Sequence, residues 1–388
     1  MERLRNKGVH MHHFVLIPDK FKGTMSSSEI CTIMKRSILR FYPDADVKSI
    51  PVADGGEGSV EAFLQAVGGE RITVPGVKGP YGKPMEGFYG ILPDGTAVLE
   101  MAATAGFALV GDDKHPDHTT TYGVGQLMLD AAKRGCRKMI IGLGGSSTND
   151  AGCGCAAACG VTFRDAEGNP FVPVGGSLDR VHSIDLSTMN PVMHGVQIVA
   201  MCDIDNPFYG LNGAAYIFAP QKGADPLLVK VLDQNLMSLA SVIKKERDID
   251  IQSVPGSGAA GGMGGGMKAF FGATLQMGIE TILDAVHFDQ LMEHSDMVFT
   301  GEGKIDGQSL RGKVVIGVAR AAKRHNVPVI AIVGDIADDV EGAYEEGVTG
   351  IFSINRLAIP YSESKLRAKG DLEKTMDNLL HCLTVLQK

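Results

Sequence analysis

Strand–helix alternation opens this chain and closes it, and between the two ends lies a long stretch with a different rhythm. "HFVLIPDKF" reads as a buried strand entering a loop. Ser26 to Glu29 then has the form of a capping box, and Ile30, Ile33, Met34, Ile38 and Phe41 recur at helical spacing. "DVKSIPVADGGEG" is a second strand ending in a glycine loop, followed by the helical "SVEAFLQAVGG". The pattern returns at "DMVFTGEG", with a helix expected over 314–325, the strand of "VPVIAIVGD", a helix over 339–346, "GIFSI" and a closing helix over 371–386. Such alternation builds parallel strands joined by crossover helices. The expected fold class is α/β: a flavodoxin-like doubly wound parallel sheet interrupted by a second, inserted α/β domain with a mixed sheet. Residues 1–67 and 290–388 are assigned to the first, discontinuous domain, and 68–289 to the insertion.

Inside the insertion, "RITVPGVKGPYGKPMEGFYGILPDGTAVLEM" alternates apolar and polar residues around Gly and Pro turns, as antiparallel strands do. The helical "TTTYGVGQLMLDAAKRG" then precedes the strand "KMIIGL", and "VQIVAMC" is another strand. Asp225 before Pro226 marks the start of a long helix carrying Leu228, Val231, Leu232, Leu239, Val242 and Ile243. "PGSGAAGGMGGGM", at 255–267, is the low-complexity run of the chain.

Six segments mix glycine with polar groups after apolar, strand-like runs: "PDKFKGT" (18–24), "VADGGEG" (52–58), "GLGGSSTNDAGCG" (142–154), "CDIDNP" (202–207), "PQKGAD" (220–225) and "TGEGKIDGQSLRGK" (300–313). Loops at strand ends are the usual address of ligand sites on α/β sheets. In a doubly wound sheet the crevice lies at the carboxyl ends of the first and third strands, here "PDKFKG" and "TGEGKID". The 50 glycines of the 388 residues cluster in such loops, where backbone can approach a ligand closely.

The glycines and hydroxyls from Gly142 to Thr148 could cradle an anion ahead of a helix, although the dinucleotide fingerprint GxGxxG is not met. Gly307 to Lys313 has the P-loop spacing GxxxxGK, but Val314 stands where Ser or Thr should hold Mg²⁺, so the match is read as accidental. Asp19, Asp54, Glu57, Asp150, Asp203, Asp205, Glu302 and Asp306 also lie in these loops. Phosphoryl transfer needs carboxylates to hold Mg²⁺ and to accept the proton of an attacking hydroxyl. Lys20, Lys22, Lys222, Lys304 and Lys313 could balance phosphate and substrate charge. Any one of these side chains could equally cap a helix or brace a turn; their convergence in six loops points to a site. Neither a GxSxG elbow nor HExxH occurs.

Composition narrows the partners. A net charge of −8, pI ≈ 5.8 and no Trp argue against nucleic acid and anionic membranes. Seven cysteines without a CxxC pair suit buried thiols in a reducing cytoplasm, and Cys153, Cys155 and Cys159 are spaced wrongly for a zinc knuckle. "MERLRNKGVHMHHFVLIPDK" has no long apolar run, so neither a signal peptide nor a membrane anchor is expected; His10, His12 and His13 are read as part of a frayed terminus.

The order "PDKFKGTMSS", "PVADGGEGSVEAF", "TTYGVGQLMLDA", "GLGGSSTNDAGCG", "CDIDNPFYGLNGAA", "FAPQKGAD", "GSGAAGGMGGGM" and "VFTGEGKIDGQSLRGK" strongly resembles the bacterial class I glycerate kinase family, from about residue 14 to the C-terminus. Lys20 and Ser147 depart from that pattern without removing a charged group. The resemblance implies ATP and Mg²⁺ as cofactors, D-glycerate as substrate and a phosphoglycerate as product, the 2-phosphate favoured. On this reading Asp203, Asp54, Lys22 and Lys313 are the expected catalytic residues, with Asp203 or Asp54 as general base. Asp19, Glu57, Gly144, Gly145, Ser146, Asn149, Asp150, Gly301 and Gly303 are expected to bind substrate or nucleotide, and Glu302 and Asp306 the metal. Which loop takes ATP and which takes glycerate stays open, and a homodimer is compatible with the reading. A kinase for another short hydroxy acid, or a nucleotide sensor without turnover, are the rival readings; an NAD-dependent dehydrogenase is opposed by the missing GxGxxG.

Overall fold

The computed structural model describes residues 11–52 and 55–387, and forms two compact units: Met1–Ala53 with Ile282–Lys388, and Asp54–Thr281. In the first, among the described residues, five parallel strands lie in the order Val348–Ser353, Val329–Val333, Met297–Gly301, His13–Pro18, Asp46–Ser49. That is the 2-1-3-4-5 order of the flavodoxin type, with the reversal between the first strand and the 297–301 strand. The central strands are buried throughout: Phe14 to Pro18, Met297 to Gly301 and Val329 to Val333 expose almost nothing, as continuous apolar runs covered on both faces must.

Helix Ser27–Phe41 starts at the capping box read from the sequence. Ser26 Oγ accepts from the Glu29 N–H at 3.2 Å, and Glu29 Oε2 accepts from the Ser26 N–H at 2.9 Å. Its buried face, with Ile30, Met34 and Ile38, packs with Leu372, Met376 and Leu380 of the closing helix, and Arg36 and Arg40 pair with Glu373 at 2.9 and 2.7 Å. The closing helix runs Tyr361–Leu386, ten residues earlier than expected. Its first turns are largely exposed and contain Gly370, so no apolar stripe marks them; the packed face begins at Ala368. The expected helix over 339–346 is shorter, Gly342–Glu345; Asp339 Oδ2 instead accepts from the Gly307 N–H at 3.2 Å.

The second unit carries a mixed sheet in the order Thr274–Gln276, Gln197–Met201, Lys138–Gly142, Ala97–Glu100, Pro84–Ile91, Glu70–Lys78. The first four strands are parallel and the last two antiparallel, in the stretch where the sequence alternates around turns. Helix Ser59–Val67, expected with the terminal sheet, packs on the 84–91 and 97–100 strands of this unit. Two cores fill the unit: one around Leu99, Leu127, Met139 and Ile141, the other around Phe163, Phe208 and helix Pro226–Arg247. Asp225 Oδ1 caps that helix by accepting from the Leu227 and Leu228 N–H groups at 2.9 and 2.8 Å, and Pro226 sits in its first turn. The helix is long and apolar enough to cross a membrane, yet Val229, Leu232, Leu236, Leu239 and Ile243 are buried in this core.

The low-complexity run 255–267 is not a loop. It leads into helix Ala259–Phe271, interrupted by three left-handed residues, Ala260, Gly261 and Gly262. The Gly261 turn passes so close to the neighbouring chain that a Cβ there would lie 2.1 Å from Thr148 O. Glycine at 261 therefore serves both the left-handed backbone and the close approach.

Candidate active site

Two of the six glycine-rich segments meet in the terminal unit. The Asp19 N–H donates to Gly301 O at 2.7 Å, the Gly334 N–H to Glu302 O at 3.1 Å and the Asp335 N–H to Gly303 O at 3.1 Å. The ends of the first, third and fourth strands are thereby laced together at the reversal point. A Cβ on Gly301 would lie 2.0 Å from Ile332 O, and one on Gly334 2.3 Å from Gly303 O. Gly301→Ala is therefore expected to cost about 2 kcal/mol or more, since backbone rather than a flexible side chain must yield; a melting temperature equal to the parent's would contradict the close approach.

Glu302 is the chemically loaded residue of this unit. It is 6% exposed, and its Oε1 has no hydrogen-bond partner among the described residues. Burial pushes its carboxyl up to about 7; contact with the Ser309 hydroxyl and the charge of Lys313 pull it down, while Asp19 and Asp306 push it further up. These five side chains therefore share one electrostatic neighbourhood. Asp306 is half-buried and holds the turn after it, its Oδ1 accepting from the Gln308 and Ser309 N–H groups at 3.0 and 3.3 Å. Lys313 is exposed at the N-cap position of helix Val314–Lys323, reached through the 3₁₀ turn Ser309–Arg311. The GxxxxGK spacing thus spans a turn and a helix start, not a loop springing directly from a strand. Lys22, also exposed, has its backbone N–H beside Gly303, and its carbonyl accepts from the Tyr361 hydroxyl at 3.3 Å. A cavity of about 220 Å³ opens next to them, lined by Phe21, Lys22, Gly303, Gly334, Ile354 and Tyr361.

The other four segments belong to the second unit, apart from residues 52–53 at the start of the 52–58 segment. Gly144 N–H donates to Gly55 O at 2.9 Å, and a Cβ on Gly144 would lie 2.6 Å from Gly56 Cα, so the glycine loops around 55 and 144 pass backbone on backbone. Glu57 is exposed at the tip of the first of them; Asp54 lies outside the described residues. Gly145 takes the left-handed conformation (φ 77°) that places Ser146 beside Lys222, whose Nζ donates to Ser146 Oγ at 2.6 Å and to Thr148 O at 2.7 Å. Asn149 is fully buried with both amide atoms unpartnered among the described residues. Asp150, also fully buried, accepts from Thr121 N–H and Oγ1, both at 2.8 Å, from Gly152 N–H at 3.1 Å and from Gly154 N–H at 3.2 Å. Desolvation pushes its carboxyl up, and these bonds, Thr121 first, oppose that. Asp203, half-buried after the 197–201 strand, accepts at Oδ1 from the Gly278 N–H at 2.7 Å.

Among the buried ionisable groups outside the expected binding residues are Lys222 and Glu100. The sequence marks Lys222 only as a balancing charge and carries no motif around Glu100. Glu100 is 2% exposed and accepts from the Val60 N–H at 3.2 Å; burial pushes its carboxyl up. Its signal was a carboxylate ending the apolar run "AVLE", in register with Gly142 on the next strand.

A parallel sheet with charged, glycine-bearing loops at its switch point, and a second unit whose loops bury a lysine and an amide unpartnered among the described residues, define an α/β protein with polar strand-end loops of the kind that hold ligands. The comparisons narrow that class. The model of the glycerate kinase family matches residues 14–384. A glycerate kinase of Halalkalibacterium halodurans is 40% identical over 371 residues, 95% of this chain and 97% of that one. A glycerate 2-kinase of Escherichia coli K12 is 44% identical over 343 residues, 88% and 90% of the two chains. A solved chain, a glycerate kinase 2 candidate from Salmonella typhimurium LT2, superposes with a TM-score of 0.84 at 38% identity, covering 97% of this chain and 99% of that one. The chain belongs to the glycerate kinase family, and is a kinase.

Proposed function

We propose that this protein transfers the γ-phosphoryl group of ATP to the 2-hydroxyl of D-glycerate. The observation that carries the reading is Glu302: a buried carboxylate at the switch point, with one oxygen unpartnered among the described residues, raised in pKa by desolvation and held within the field of the Lys313 charge, is a group prepared for a cation that arrives with phosphate. Among the described residues no three His, Cys, Asp or Glu side chains converge as a self-sufficient metal cage. Phosphate-borne Mg²⁺ asks for only one or two carboxylates, so Glu302, with Asp306 or Asp19 beside it, fits. Mg²⁺ bound there would neutralise charge on the transferred phosphoryl group.

The protein's own groups supply the rest. Lys22 and Lys313 are the proposed phosphate partners, each a mobile ammonium on a fixed backbone. Asp203 is the proposed general base, its rotation held by the bond from Gly278 N–H while it accepts the proton of the attacking hydroxyl. Asp54 is a second candidate for that role. The loop Gly144–Asp150, with Glu57, is the proposed seat for ligand oxygens, offering the Ser146 hydroxyl, with the buried Asn149 amide behind it. The seven unpaired thiols suit a cytoplasmic enzyme.

The test is turnover. ADP release with D-glycerate should exceed that with other short hydroxy acids in kcat/KM, and NMR of the product should place phosphate on C2. Lys313→Ala is expected to lower kcat/KM about ten- to a hundredfold, the range for losing one charge-assisted hydrogen bond, and Asp203→Asn to lower kcat more than KM. If both variants turn over like the parent, the site is elsewhere.

A further inference from the structure

Lys222 ends the 3₁₀ turn Pro220–Lys222, closed by Gly223 in the left-handed region (φ 101°), and a Cβ on Gly223 would lie 2.4 Å from Lys114 O. The turn is thus seated against its neighbour, and the lysine side chain is driven inward until the residue is 3% exposed. Among the described residues no carboxylate pairs with it; its contacts are Ser146 Oγ and Thr148 O. Burial pulls the ammonium down to about 7, against the opposing charge of Asp150. An apolar side chain would brace the turn without that desolvation. A buried lysine kept on a serine oxygen calls for another explanation.

The two serines of the loop differ. Ser147 spends its proton on Ala105 O at 2.9 Å. Ser146 has its oxygen occupied by the lysine, and among the described residues its own proton meets no acceptor. The backbone there is pinned on both sides, by the bridge between Ser146 and Gly106 and by the Phe107 N–H donating to Gly145 O at 2.8 Å. Ser146 is also slightly exposed, at 9%, whereas Thr148, Asn149 and Asp150 are fully buried.

We propose that Lys222 is a positioning residue for Ser146: by donating to the Ser146 oxygen it fixes that hydroxyl as a donor toward an anionic oxygen of the ligand, a carboxylate or a phosphate. Both N–H bonds survive if the lysine loses its proton, since an amine still carries two, so the arrangement does not depend on the charge state. The inference rests on the proposed seating of ligand at the 144–150 loop.

The full-length protein tests it through Ser146→Ala, Lys222→Met and the double variant, with ATP and D-glycerate varied separately and melting temperatures recorded. Each single change is expected to lower kcat/KM about ten- to a hundredfold. The double variant should be no more than about threefold worse than the poorer single, because both remove one interaction. A loss concentrated in the KM for glycerate assigns the oxygen to the carboxylate; one concentrated in the KM for ATP assigns it to phosphate. Losses that multiply overturn the positioning role. So does a Lys222→Met enzyme that matches the parent while Ser146→Ala is impaired, and the loop's ligand role then stands. Parent-like Ser146→Ala kinetics would instead remove the loop from the ligand. Lys222→Gln, which keeps an N–H donor, replaces the Met variant if that does not fold; failure of both to fold assigns the lysine to folding and overturns the proposal.

Discussion

Glu302→Gln is expected to be more stable than the parent at pH 8 in chelator, and at the same time to lose about a hundredfold or more in kcat. The stability half follows from burial. The carboxyl has moved from its ordinary 4.5 to about 7 because ionising it inside the protein is unfavourable. Below pH 4.5 the group is protonated folded or unfolded, and the parent suffers no penalty. As pH rises from there toward 7, the unfolded chain ionises while the folded one holds its proton, so parent stability falls and then levels off above the folded value. The whole window corresponds to about 3 kcal/mol at 1.36 kcal/mol per pH unit. A neutral glutamine does not titrate. The gap in melting temperature between variant and parent should therefore open between pH 4.5 and 7, and amount to a few degrees at pH 8.

The activity half follows from the same geometry. An amide offers the cation a weaker, uncharged oxygen, and transition-state charge stabilisation of this sort is worth a factor of about 10² to 10³ per group. Added Mg²⁺ and ATP should raise the parent's melting temperature and leave the variant's nearly unchanged. Coincident melting curves at pH 8, or a variant with the parent's kcat, would remove Glu302 from the cation position.

What the sequence could show was local. The capping box at Ser26 and the Asp225–Pro226 helix start depend on residues within one turn, and both are present. The six loops were likewise legible, because glycine and charge after an apolar run is a pattern within a dozen residues. Their partners were not. Nothing near Lys222 in the chain announces that it ends on Ser146, 76 residues away, or that it is almost wholly buried. The first turns of helix 361–386 carry no apolar stripe, so periodicity placed the start where packing begins. The left-handed Ala260 is further from reach still. Its conformation is imposed by the fit of Gly261 against Thr148, and a helix-favouring alanine gives no warning of it.

Asp150→Ala is expected to cost the protein about 3–6 kcal/mol, more than any other single change considered. Asp150 looks like a candidate for chemistry by composition, an acid in a glycine–serine loop, yet its two oxygens are already taken. One accepts from the Thr121 N–H, the Thr121 hydroxyl and the Gly154 N–H, the other from the Gly152 N–H. Those donors tie the start of helix Tyr122–Lys133 to the start of helix Cys153–Ala158, and a Cβ on Gly154 would lie 2.8 Å from Asp150 Oδ2. Removing the carboxylate strands three buried backbone N–H groups, each worth about 1–3 kcal/mol when left unmade. It also frees Ala151, held at φ 52° by the turn, to relax. Urea unfolding should show the midpoint fall sharply with Asp150→Ala and by less with Asp150→Asn, which keeps one acceptor and the shape. Any activity that survives should show a raised KM, since the neighbouring Asn149 and Ser146 lose their frame. A variant within 1 kcal/mol of the parent would mean that Asp150 does not organise the loop, and would return it to the list of groups that meet the ligand directly.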